Sequence, residues 1–270
     1  MTHTPPIPKL LTIAGSDPSG GAGIQADLKT FSALGAYGTS VITALTAQNT
    51  QGVTGVHPVP ADFIAAQLET LLDDIAIDAV KIGMVASREV AEVIREALTK
   101  RRPRWVVLDP VMVAKSGDVL VDDAGIRAVR ELLVPLADLI TPNLPEAAVL
   151  LDTVAPDDAD AMEALLPHLQ ALGAPRVLLK GGHLRGERCP DLLVDEQGAQ
   201  WLDGPRIATG NLHGTGCSLS SAIAACLAHR DAPLAAVTEA KAWLEAALAE
   251  SHRLGVGRGQ GPVHHFHAWW

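Results

Sequence analysis

The chain has 270 residues, 48% hydrophobic, 19% charged and only 3% aromatic, with a formal net charge of −10. That length fits one large domain, 1–270, with a core of Ala, Leu, Val and Ile. No basic patch or Lys/Arg run stands out, which argues against a nucleic-acid partner; no segment reaches the roughly 20 unbroken apolar residues of a membrane span.

In chain order, Leu10 to Ala14 predicts a strand that ends at Gly15. Ile24, Leu28, Phe31 and Leu34 then recur at helical spacing up to Gly35. Thr39 to Leu45 is rich in β-branched residues and predicts a second strand, followed by Gln48-Asn49-Thr50, either a solvated polar loop or amides that pair with a heteroaromatic ring edge. Helices are expected over 61–74, 89–99, 123–133, from Glu146 to Leu151, and over 162–172. Strands are expected at Ala79 to Gly83, Trp105 to Leu108, Leu139-Ile140 and Val177 to Leu179. Asp191 to Asp195 and Gln200 to Ile207 predict an antiparallel hairpin, and 218–229 and 234–251 two long helices. Apolar strands alternating with helices imply a mainly parallel sheet covered on both faces, with ligands beyond the carboxyl ends of its strands. Ser16-Asp17, Lys81, Asp109, Thr141 to Asn143 and Lys180 all fall at those ends.

The three cysteines, Cys189, Cys217 and Cys226, are too few and too scattered for a disulfide framework or a zinc site. A reducing cytoplasm is the expected compartment.

Asn211 to Cys217 reads Asn-Leu-His-Gly-Thr-Gly-Cys and runs into the helix-forming stretch from Ser218. A Gly-Thr-Gly turn on a helix N-terminus collects free N–H groups at the positive dipole end, which suits an anion. A cysteine in that first turn is expected to have its thiolate favoured. Together they suggest phosphoryl transfer. Gly21-Ala22-Gly23-Ile24-Gln25-Ala26 fits a dinucleotide fingerprint, but five residues separate it from the strand end, and no acid follows Asp27 until Asp62. The Gly-Lys-Ser/Thr of a Walker loop is absent as well. Asn143 and Glu146 have capping-box spacing, and Glu146 is also a carboxylate suited to Mg²⁺ held through waters. Asp109 ends a buried strand and needs a partner. Lys180, followed by two glycines, can neutralise a transferring phosphoryl group. His264, His265 and His267 lack partnering Cys or acidic ligands, so a packed aromatic terminus with Trp269 and Trp270 is expected.

These segments resemble the hydroxymethylpyrimidine/phosphomethylpyrimidine kinases of the ribokinase-like superfamily. The resemblance rests on Thr12 to Asp27, Thr43 to Thr50, Lys81 to Met84, Thr141 to Ala147, Leu179 to His183, His213 to Cys217 and Gly261 to His267. It implies a three-layer α/β/α fold with a mostly parallel central sheet, a homodimer, and ATP with Mg²⁺ phosphorylating a hydroxymethylpyrimidine and then its monophosphate. It also implies that Gln48 and Asp27 contact the pyrimidine and that Gly15, Met84 and Val111 line its pocket. Lys180 would meet the γ-phosphate, Asp109 and Glu146 would serve Mg²⁺ and phosphate, and Gly214, Thr215, Gly216 and Cys217 would form the anion hole. Cys217 stands where most of the superfamily has an aspartate base, and is expected to be the base once the helix end activates it. The segment from Ala114 to Val119 is expected to be a mobile flap. Pyridoxine/pyridoxal kinase is the nearest competing activity.

Overall fold

A computed structural model describes residues 6–112, 121–230 and 232–270. The expected flap at 114–119 lies outside the described residues. Eight strands form one sheet: β1 (Lys9–Ala14), β2 (Tyr37–Ile42), β5 (Ala79–Ile82), β6 (Trp105–Leu108), β7 (Leu139–Ile140), β8 (Val177–Leu179), β9 (Asp191–Asp195) and β10 (Gly198–Leu202). Their order is β10-β9-β8-β7-β6-β5-β1-β2. Pairing is parallel from β2 across to β8 and antiparallel between β8, β9 and β10.

Side chains alternate between two separate cores. Leu11, Ile13, Val80, Ile82, Val106, Leu108 and Ile140 face α2 (Ala61–Asp74), α3 (Arg88–Lys100), α4 (Asp123–Ala128), α5 (Leu144–Leu151) and α6 (Ala159–Gln170). Leu10, Ala79, Trp105, Val107 and Leu139 face α1 (Gly23–Ala33), α7 (Thr215–Arg230) and α8 (Pro233–Ala249). Both faces of the strands are therefore dry, which explains their unbroken apolar runs. The result is the three-layer α/β/α fold.

The structure corrects the sequence-based expectations in three places. Thr39 to Leu45 is not one strand. The chain leaves the main sheet after β2 and forms a separate antiparallel pair, β3 (Ala44–Asn49) with β4 (Gly52–Pro58), so Gln48 lies in a strand and not in a polar loop. The second hairpin strand is Gly198–Leu202, not 200–207. Finally, the short basic run from Lys100 to Arg104 does exist. Lys100 pairs with Glu96, Arg101 with Asp73 and Arg102 with Asp138, so its charge is largely neutralised on the surface.

Candidate active site

Because β1, β5, β6, β7 and β8 run parallel, their carboxyl ends meet on one edge of the sheet, where α7 also begins. There they open on a cavity of about 1120 Å³. Gly15, Gln48, Met84 and Val111 line one part of it; Asp109, Glu146, Lys180 and Gly214 to Cys217 line the middle. Beyond them lie Gly182, His183, Gly186, Glu187, Pro205 to Thr209, Leu244 and Leu248, mixed apolar and polar walls of a further compartment.

Lys180, just past β8, donates to Asp109 Oδ1 at 2.9 Å and lies 3.8 Å from Glu146 Oε2. Thr141 Oγ1 donates to the same Asp109 oxygen at 3.1 Å. Burial alone would raise the Asp109 carboxyl, but Lys180, Lys81 and these hydrogen bonds hold it below the ordinary carboxylate value. Burial works against the Lys180 ammonium, yet Asp109 and Glu146 raise it above the ordinary lysine value, so the pair is charged. Glu146 also completes the capping box: Glu146 N–H donates to Asn143 Oδ1 at 2.8 Å, and Asn143 N–H to Glu146 Oε2 at 2.7 Å. One carboxylate thus caps α5 and faces the cavity.

Gly214 has φ +74°, a conformation glycine adopts without strain. Thr215 N–H reaches Leu212 O at 3.4 Å, and Ser218 N–H donates to Gly214 O at 2.8 Å. Among the described residues no carbonyl accepts from Gly214, Gly216 or Cys217, so three amides remain available at the start of α7. A Cβ on Gly216 would stand 3.3 Å from Lys180 Nζ and 3.6 Å from Asp109 Oδ2, which places the amides, the cation and the carboxylate around one spot.

Two residues sit in surroundings that the sequence alone does not show. Asp27 is fully buried and does not line the cavity. Lys81 Nζ donates to both of its oxygens at 2.9 Å, Thr12 Oγ1 donates at 2.6 Å and Ser221 Oγ at 2.7 Å. Its carboxylate joins the sheet, α1 and α7. The Cys217 thiol is pushed up to about 11, not down. Burial is the main cause; Lys81 opposes it, while the Asp27 and Asp109 carboxylates add to it. At neutral pH Cys217 is a thiol, because burial outweighs the nearby Lys81 charge.

The sequence puts Asp17 at a strand end and His213 in the glycine motif but does not show their contact, and it leaves the roles of Arg206 and Lys241 unmarked. Asp17 gathers the loop after β1, and His213 joins it across the cavity edge at 2.7 Å. Arg206 donates to the carbonyls of Gly182, Leu184, Gly186 and Arg188, which shapes the wall of the outer compartment. Lys241 on α8 bridges to Asp191 at 2.7 Å, and Gly181 N–H donates to the other Asp191 oxygen at 2.9 Å. These contacts link positions far apart in sequence and leave no local motif. The histidine-rich tail packs as an aromatic cluster: His264 and Phe266 stack near Trp270, and His265 and His267 near Trp243.

Residues 17–264 match the family model described as Phosphomethylpyrimidine kinase. The chain belongs to that family. It is 55% identical over 260 residues to the hydroxymethylpyrimidine/phosphomethylpyrimidine kinase of Salmonella typhimurium, covering 96% of this chain and 98% of that one. The Escherichia coli protein of the same description is also 55% identical, over 262 residues, with the same coverage. Among solved structures, the phosphomethylpyrimidine kinase of Clostridium difficile is 44% identical with a TM-score of 0.78, covering 88% of this chain and 97% of that one. An ADP complex of Bacillus subtilis pyridoxal kinase is 38% identical with a TM-score of 0.89, covering 96% and 98%. This phosphomethylpyrimidine kinase family member therefore shares its backbone with pyridoxal kinases, while its higher identities lie with pyrimidine kinases.

Proposed function

We propose that this chain transfers the γ-phosphoryl group of ATP to 4-amino-5-hydroxymethyl-2-methylpyrimidine and then to the resulting monophosphate, in thiamine biosynthesis. One observation carries the assignment of the chemistry to this site. Lys180, Asp109, Glu146 and the amides of Gly214, Gly216 and Cys217 converge on one spot between two compartments of a single cavity. The compartment with Gly15, Gln48, Met84 and Val111 takes the pyrimidine. The one walled by Pro205 to Thr209, Leu244 and Leu248 takes the nucleotide.

Phosphoryl transfer through a loose transition state spreads negative charge over the equatorial oxygens, so positioning and electrostatics do most of the work. Lys180 meets that charge from one side and the α7 amides from the other, and neither must reorganise as the group moves. Asp109 and Glu146 are hard oxygen donors suited to Mg²⁺, and no cluster of three or more metal-ligating side chains occurs among the described residues. That set fits a Mg²⁺ held mainly by phosphate and water, which would neutralise the triphosphate. Cys217, a thiol at neutral pH, touches the acceptor as a neutral group. The hydroxyl proton need leave only late in a loose transition state, and a phosphate acceptor has none to lose.

The exposed β3–β4 pair supports a homodimer. A two-stranded ribbon is marginal alone, and Leu45 and Val56 on it, with Phe63 of α2, are exposed. No helix among the described residues is long and apolar enough to cross a membrane; we place the enzyme in the cytoplasm. An ADP-release assay with MgATP and the pyrimidine tests the activity, and pyridoxine in its place tests the acceptor. Turnover is expected with the pyrimidine and its monophosphate. No ADP release with either would overturn the assignment.

A further inference from the structure

The loop after β1 and the turn before α7 are about two hundred residues apart in sequence, yet they interlock. The Asp17 carboxylate collects five donors. Ser19 N–H and Oγ–H reach Oδ1 at 2.8 and 2.7 Å. Gly21 N–H, Ala22 N–H and His213 Nε2 reach Oδ2 at 3.1, 2.8 and 2.7 Å. Burial would raise this carboxyl, but His213 and the Ser19 and Ala22 donors bring it down to about 2, so it is ionised and can only accept. Nε2 of His213 therefore carries the shared hydrogen.

The two turns touch at a point where neither tolerates a side chain. A Cβ on Gly214 would lie 1.7 Å from Gly21 O, and one on Gly21 would lie 2.3 Å from His213 Cδ2. His213 is also held from behind: its N–H donates to Gly261 O at 3.0 Å, and it bridges to Pro262. The acceptor-side loop and the anion turn are thus registered through one imidazole.

We propose that His213 is a positioning residue: through Asp17 it fixes the Gly214–Cys217 amides against the acceptor-side loop, so that the amides meet the transferring group in line. It touches no reacting atom itself. A misplaced turn still admits both substrates but stabilises the transition state less, so the signature is a fall in kcat with KM nearly unchanged.

This inference rests on the Gly214–Cys217 amides being the anion hole, and the experiment separates the two. Steady-state kinetics are measured for His213→Ala, His213→Gln, Asp17→Asn, the Asp17→Asn/His213→Ala double variant and Gly216→Ala, each normalised to the folded fraction. His213→Ala is expected to lose at least tenfold in kcat, with both KM values within about threefold. Gln can place an amide N–H near the Nε2 position, so His213→Gln should recover most of that loss. The double variant should be no worse than the poorer single variant, because the two residues act as one link. Wild-type kcat in His213→Ala, a His213→Gln variant as slow as His213→Ala, or multiplicative losses in the double variant would each overturn the positioning role. Gly216→Ala puts a methyl against Lys180; if it turns over normally, the anion-hole reading itself falls. If it is inactive while His213→Ala is normal, the positioning role alone falls.

Discussion

Two lysine–aspartate pairs stand near one edge of this sheet with the same 2.9 Å separation. Lys81–Asp27 is the more deeply buried: both side chains have zero exposure although Lys81 backs onto the cavity, and Thr12 and Ser221 take up further acceptor capacity. Lys180–Asp109 is open: the lysine is 12% exposed and faces the cavity beside Glu146 and the glycine turn. Pair geometry does not distinguish structural from chemical charge; what closes over the pair does. Asp27 could be taken for a substrate ligand because its neighbourhood in sequence is full of functional loop residues. Only the packing of α7 onto α1 and the sheet reveals that both of its oxygens already have protein partners.

Lys180→Met should produce the largest kinetic effect. Removing a preorganised charge from a transferring group costs on the order of 10²–10³-fold in kcat. Nucleotide affinity by calorimetry should fall far less. A variant with near-normal kcat would erase the distinction between the two pairs. Lys81→Met should act on stability instead: breaking a buried pair leaves an uncompensated charge, worth roughly 3–5 kcal/mol in urea unfolding. The Lys81→Met/Asp27→Leu double variant should be more stable than Lys81→Met alone. In folded Asp27→Asn protein the pyrimidine KM should stay within about twofold, and a tenfold rise would return Asp27 to the substrate.

A smaller effect is expected at Cys217, and here the two half-reactions sharpen the picture. A general base contributes about 10²–10⁴-fold and is needed only for the hydroxyl acceptor. With its thiol held near 11, Cys217→Ala should slow both phosphorylations alike and by less than about tenfold in single-turnover measurements. A large loss confined to the first step would make Cys217 the base. The smallest effect concerns acid. The Asp17 carboxyl sits near 2 in the fold against an ordinary 3.8. Its contribution is complete above about pH 4 and is lost as pH falls through about 2. Urea midpoints between pH 5 and pH 2 should therefore fall more steeply in the wild type than in Asp17→Asn.

Much of this was readable beforehand, for physical reasons. Trp105–Leu108, Leu139–Ile140 and Val177–Leu179 are short runs buried on both faces, so their whole sequence is apolar and their limits are sharp. The cavity residues at strand ends followed from parallel topology, which puts carboxyl ends on one side. The β3–β4 pair was hidden because it lies off the main sheet, with β3 alternating, β4 mostly exposed, and no apolar run to mark it. The Cys217 thiol was misjudged because a dipole is a local property of sequence, whereas desolvation is set by everything packed around the sulfur. The Asp17–His213 contact and the role of Arg206 are silent for the same reason: their partners lie across the fold.

The grip of the segment around Gly261 on distant parts of the site bears on the order in which the enzyme is made. Gln260 N–H donates to Thr50 O at 2.9 Å, steadying the end of the ribbon that carries Gln48, and Gly261 O holds His213. During synthesis, β1 through α8 can emerge and begin to pack before either tether exists. A chain ending short of residue 260 would hold most of the core but neither of these two tethers.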